Sequence, residues 1–186
     1  MNIMKRTTLR TLLCATLMAS LTPTAVSADA ASPAFRMIVI EDASFVPQLL
    51  SGDYNEAIEI LSAQKTRKRN YFATQTNVCV AYAKAKQVDK AIAACDAALA
   101  FAEKKANGVA GRKFGDPVTR KEIQTNLAVA LSNRGVLFAV VGEPDQAKKH
   151  FETAIQLKGR YDFAESNNSR LENGPPMSDL TIASTD

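Results

Sequence analysis

A short phrase recurs along this chain. Gly52-Asp53-Tyr54-Asn55-Glu56-Ala57-Ile58 reads as a turn glycine followed by the start of an amphipathic helix, and Gln87-Val88-Asp89-Lys90-Ala91-Ile92 places Ala91 thirty-four residues after Ala57. Gly142-Glu143-Pro144-Asp145-Gln146-Ala147 opens a third version. Self-similarity at this interval restricts the fold to a stack of like helical units. Each unit leaves an apolar face open, its neighbour covers that face, and the ends need polar caps.

The helices preceding these turns agree. Asn77-Val78-Cys79-Val80-Ala81-Tyr82-Ala83 and Asn133-Arg134-Gly135-Val136-Leu137-Phe138-Ala139 align without gaps, and Tyr82 and Phe138 each stand nine residues before the alanine after the turn, Ala91 and Ala147. Beyond the turn, Cys95 and Phe151 occupy a large-residue site, and Ala98 and Ala154 a small-residue site. The third unit, with Gly135, Phe138, Gly142, Ala147, Phe151 and Ala154, resembles the tetratricopeptide repeat (TPR) pattern almost throughout. The second resembles it with cysteine in place of the small glycine and of the aromatic. In the first, Pro47 interrupts the leading helix, and only residues 52–61 match well. The resemblance covers roughly residues 50–172. It implies an all-α, TPR-like solenoid of antiparallel helix pairs, about three repeats plus a C-terminal capping helix. Small residues let paired helices touch, and the aromatics fill the space beside them.

The cap is expected over residues 160–172, where Tyr161, Ala164 and Leu171 form a stripe and Asn167 follows Asn133 by thirty-four. Asn173-Gly174-Pro175-Pro176 stops that helix, and the tail 173–186 is expected to be flexible. One spacing departs from the rhythm, since Ala91 and Ala147 lie 56 residues apart, 22 more than one period. The surplus falls around Asn107 to Gly115. Asp116-Pro117 opens a helix well, and Ile123, Leu127 and Leu131 then share one face, so a protruding hairpin over about 100–120 is expected. Its glycine-rich, basic tip is either a tolerated insertion or a partner-binding finger.

The first residues read as an address. Lys5, Arg6 and Arg10 precede an apolar stretch from Thr11 to Leu21, and Val26-Ser27-Ala28 offers small side chains where signal peptidase requires them. Residues 1–28 are expected to be a secretory signal peptide cleaved after Ala28, with Ala30 as a second site, and 29–50 an N-terminal segment ahead of a domain over 51–172. Cys14 follows Leu12 and Leu13, which excludes a lipoprotein acceptor. The signal holds three of 23 Lys+Arg and none of 19 Asp+Glu, so the net charge falls from +4 to +1 on its removal. A nucleic-acid partner is therefore not expected, nor a stable membrane span after cleavage. The location implied is the periplasm.

Within the TPR arrangement, Cys79 and Cys95 each lie about eight residues from a turn near Gln87, at one level of a helical hairpin. Helix axes roughly 8–10 Å apart leave about 4–5 Å between facing Cα atoms, within disulfide reach. They are either a disulfide, which an oxidising compartment favours, or two small buried thiols at a tight crossing. Asn77, Asn133 and Asn167 recur at equivalent sites of the leading helices. In the TPR family those helices line the concave face, and asparagine there often holds an extended peptide, because one amide both donates and accepts. The alternative is an asparagine bonded within the stack. Val80, Lys84 and Val136 are the further groove candidates, and Thr76, Ala83, Ser132 and Val140 lie nearby.

Cations follow the second helix of each unit (Lys65, Arg67, Lys68, Arg69; Lys104, Lys105; Lys158, Arg160), and Asp53, Asp89, Glu143 and Asp145 precede it. That order compensates helix dipoles, or forms a basic rim for acidic partners. Phosphate-binding, dinucleotide, nucleophile-elbow and zinc-protease motifs do not occur, and His150 is the sole histidine, so neither catalytic residues, a metal site nor a cofactor is expected. The expectation is a non-catalytic scaffold in the bacterial cell envelope that binds a protein or peptide on its concave face. The alternative is a structural assembly protein that self-associates through an exposed repeat end.

Overall fold

The computed structural model describes residues 34–41, 46–63, 70–110, 117–157, 162–174 and 180–184. In chain order these form β1 (Phe35–Val39), α1 (Val46–Ser51), α2 (Tyr54–Ala63), α3 (Tyr71–Lys84), α4 (Val88–Ala110), α5 (Pro117–Val140), α6 (Pro144–Gln156), α7 (Phe163–Asn173) and β2 (Leu180–Ser184). The described residues are mostly helical, and consecutive helices pack against one another. The expected signal peptide over 1–28, the cations at 65–69, residues 111–116 of the expected hairpin, and Lys158, Arg160 and Tyr161 lie outside the described residues.

Three turns share one design. Asp53 N–H donates to Gln48 O, Gln87 N–H to Tyr82 O and Glu143 N–H to Phe138 O, at 2.8, 2.8 and 2.9 Å. Each N–H reaches back five residues, so the preceding residue must enter the left-handed region. Gly52 and Gly142 do so at φ 94° and 84°, and Lys86 takes the same place at φ 60°. The second turn thus keeps its geometry without the glycine.

Pairing rests on small residues. Ala91, Ala94, Cys95, Ala98, Leu99 and Ala102 bury one stripe of α4 at helical spacing. Helix α5 is buried almost all round between Ala128 and Ala139, which makes it the central helix, touching α3, α4, α6 and α7. On α6 only Ala147, Phe151 and Ala154 are buried. The Phe151 ring lies where a side chain on Gly135 would stand: a Cβ built there falls 2.6 Å from ring atom Cε1.

Two features depart from an all-helical stack over 51–172. The segment ahead of residue 51 is part of the core, since Phe35, Met37, Ile38 and Val39 of β1 and Val46 and Leu49 of α1 are buried. The tail expected to be flexible contributes β2, which pairs with β1 in parallel, Phe35 opposite Leu180 through Val39 opposite Ser184. The physical reason is backbone satisfaction in two steps. The faces of α3 and α5 left by helix pairing are apolar and carry backbone-binding amides, which β1 satisfies along one edge, and β2 then pairs with the other edge of β1.

Cys79 and Cys95 are bonded to each other, with Cα atoms 5.1 Å apart, and link α3 to α4. Both residues are buried. The closed loop of 16 residues contributes about 3 kcal/mol by the chain-entropy argument. A Cys79→Ser/Cys95→Ser chain is therefore expected to unfold in urea with a stability lower by about 3 kcal/mol. A loss under about 1 kcal/mol would mean that helix packing alone already sets this hairpin.

Candidate functional site

The face formed by α3, α5 and α7 carries Asn77, Asn133 and Asn167, all buried, and β1 lies across it. The Asn77 Oδ1 accepts from Ile40 N–H at 2.8 Å while its Nδ2 donates to Ile40 O at 2.8 Å. Asn133 does the same to Ile38, at 2.7 and 2.9 Å. Asn167 does so to Arg36, at 2.9 and 2.8 Å. Every amide thus satisfies both backbone groups of one residue, as a neighbouring strand would.

The spacing follows from chain geometry. Peptide groups of an extended chain alternate between its edges, so a row of amides on one side meets every second residue. Asparagine suits the task because its short side chain carries one acceptor and two donors on a single plane. Aspartate would lose the donor.

Side chains of β1 are held as firmly as its backbone. Phe35, Met37 and Val39 join the cluster around Val80, Val136 and Phe151, while Ile38 joins another with Phe72, Leu99 and Leu131. The Phe35 ring stacks near-parallel on Phe151, centroids 6.4 Å apart, and the Arg170 guanidinium lies 5.1 Å from the Phe35 centroid. At roughly 1.5–3 kcal/mol per fully buried large apolar side chain, these four residues keep β1 a structural component rather than a loosely held ligand.

Of the residues singled out by sequence, the three asparagines meet on one extended backbone. Val80 and Val136 are fully buried in the apolar cluster that receives Met37 and Val39, and so line the floor. Lys84 is turned toward α2, its ammonium 5.4 Å from the Tyr54 ring centroid. What sequence reasoning missed is the segment that fills the face. Its signal was present: Phe35-Arg36-Met37-Ile38-Val39-Ile40 is a short apolar, partly β-branched run between Pro33 and the acids Glu41 and Asp42.

On α5, the residue after Asn133 belongs to a separate group. Arg134 pairs with Asp96 of α4 and lies over the Phe138 ring, which stacks on His150 with centroids 5.1 Å apart. Burial, then the positive charges of Arg134 and Lys149, hold His150 below its usual pKa of 6.5. The unfolded chain therefore takes up this proton first as pH falls. Stability is unaffected by His150 above the ordinary value and declines as pH drops through it toward the lowered one. Urea unfolding at about pH 7.5 and about pH 5 should show a larger loss for the wild type than for His150→Gln, and equal losses would exclude His150 as the source.

Among the described residues, no three His, Cys, Asp or Glu side chains group as a metal site, and no helix is long and apolar enough to cross a membrane. A comparison with family models, curated proteins and solved structures finds no match to the chain.

Proposed function

We propose that this protein is a non-catalytic binding scaffold of the TPR type, acting in the bacterial cell envelope, whose asparagine-lined face holds its own β1 extended as part of the surface that a protein or peptide partner meets. The observation that carries this reading is the set of three two-point amide contacts on alternate residues of one backbone. Such contacts recognise the extended form of a chain and not its side chains, which is the chemistry of a strand receptor. The first segment held is the protein's own β1, and a partner then meets the surface that β1 and the leading helices form together.

Export is supported by the basic start, apolar stretch and small-residue site over residues 1–28, and by a bonded cysteine pair, which an oxidising compartment maintains. The recurring turn design, the small-residue helix contacts and the capping helix α7 support the TPR assignment.

The test is cross-linking in living cells with an affinity-tagged full chain. One protein recovered in near-stoichiometric amount from the envelope is expected, and an Asn77→Ala/Asn167→Ala chain, which removes the amide contacts at both ends of β1, should recover it several-fold less. Undiminished recovery would remove the asparagine face from the account, and the absence of any stoichiometric partner would end the scaffold reading.

A further inference from the structure

We propose that the edge of β1 now covered by Leu180–Ser184 is a docking site for an extended segment of a partner protein, which adds parallel to β1 in place of the chain's own tail. As a site for partners this edge presupposes the scaffold reading; it adds which backbone groups the partner meets and in which direction it runs.

The two edges of β1 meet different partners. With Arg36, Ile38 and Ile40 turned to the asparagines, the N–H and C=O groups of Phe35, Met37 and Val39 face the opposite edge. There β2 is the one strand that pairs with β1 among the described residues. The parallel register places Met37 opposite Ile182, which directs Met37 N–H to the Thr181 carbonyl and the Ala183 N–H to the Met37 carbonyl. By the same alternation the Ile182 N–H points away from β1.

This edge is a rigid template. The asparagines and four buried side chains fix β1 from its other side and from both faces, so withdrawal of β2 leaves those supports in place. A strand arriving at a preorganised edge orders only itself, which favours binding. An uncovered edge of this kind would also be an aggregation hazard, which accounts for a cover in the resting chain. The segment seated there, Leu-Thr-Ile-Ala-Ser, is uncharged, with two large aliphatic residues two apart and hydroxyl or small residues at the other positions. A partner segment of that chemistry, able to offer the same two inward N–H groups, is the occupant the edge accepts.

The probe is a fluorescent synthetic peptide with the sequence of residues 178–186, and the receptor is the full mature chain carrying Thr181→Pro and Ala183→Pro, which cannot pair its own tail. Saturable binding is expected, weaker by about tenfold or more to the wild-type chain, where the tethered tail competes at high effective concentration. N-methylation of the peptide at Ala183 should abolish binding, while N-methylation at Ile182 should leave it within about threefold, because only the former amide faces β1. A helical, cooperatively folding receptor that does not bind, or equal binding of the two methylated peptides, would overturn the proposal. Hydrogen exchange in the wild-type chain decides the matter even if the proline variant fails to fold. Met37 and Val39 amides should exchange faster than that of Ile38, and equal protection would mean that the tail never leaves. Wild-type dimers that vanish in the proline variant would assign the edge to the tail of a second copy and overturn the choice of partner. Failure of any of these arms leaves the in-cell recovery of a partner to be judged on its own result.

Discussion

Asn133→Leu is expected to destabilise the folded chain by about 4 kcal/mol, because it leaves two buried backbone groups unpaired at roughly 1–3 kcal/mol each. Asn133 is 1% exposed, and its two bonds to Ile38 are buried as well. Leucine matches the volume but offers neither donor nor acceptor, and Ile38 is buried, so solvent is a poor replacement. The equivalent changes at Asn77 and Asn167 should each lose less, about 1–2 kcal/mol, since Ile40 and Arg36 are partly open to solvent. Urea unfolding of the three single variants checks the order. Equal losses at all three positions, or a loss under about 1 kcal/mol at Asn133, would mean that side-chain burial and not the amide ladder holds β1. Asn133→Asp separates the two further. It keeps the acceptor for Ile38 N–H but sets a carboxylate against the Ile38 carbonyl, so it should be at least as harmful as leucine.

Phe151→Ala is expected to remove about 3–5 kcal/mol. The ring is fully buried, touches the backbone of α5 at Gly135 and stacks on Phe35, so its loss opens a cavity where α5, α6 and β1 meet. The converse change tests the same contact from the other side. Gly135→Ala would gain up to about 1 kcal/mol of helix propensity but drive its methyl into the ring, an overpacking loss of about 1–3 kcal/mol. The net result should be destabilising. In a Phe151→Leu background the added methyl finds more room, and the double variant should therefore be less unstable than the summed single changes by about 1 kcal/mol. Strict additivity would show that Gly135 and Phe151 do not act on each other.

Neither effect could be assigned from sequence in full, and the reason differs between them. The Gly135 and Phe151 pairing is local to one helix hairpin, and a small residue sixteen positions before a large one, across a marked turn, already implies that the two face each other. The asparagines stand out through recurrence at intervals of 56 and 34 residues. What they hold does not, because the answer lies at a sequence separation of up to 131 residues. The apolar run of β1 is equally compatible with a buried strand or a short helix when read alone, and five residues carry too few periods to choose. The same limit applies to β2, whose pairing partner stands at the other end of the described chain.

By itself the sequence determined the helical content, the turn positions and which residues of each helix are small, large or amide-bearing, since these depend on spacings within a few turns of chain. Lys86 marks the boundary of that reading, because it adopts the left-handed turn geometry that glycine takes at the two related positions. Only the tertiary structure decided that the amide-lined face is filled by the chain's own Phe35–Ile40, and that the tail closes the remaining edge. Both are long-range strand contacts. A strand's place is set by whichever unsatisfied backbone-binding surface the assembled helices present, and that surface exists only after the helices have packed.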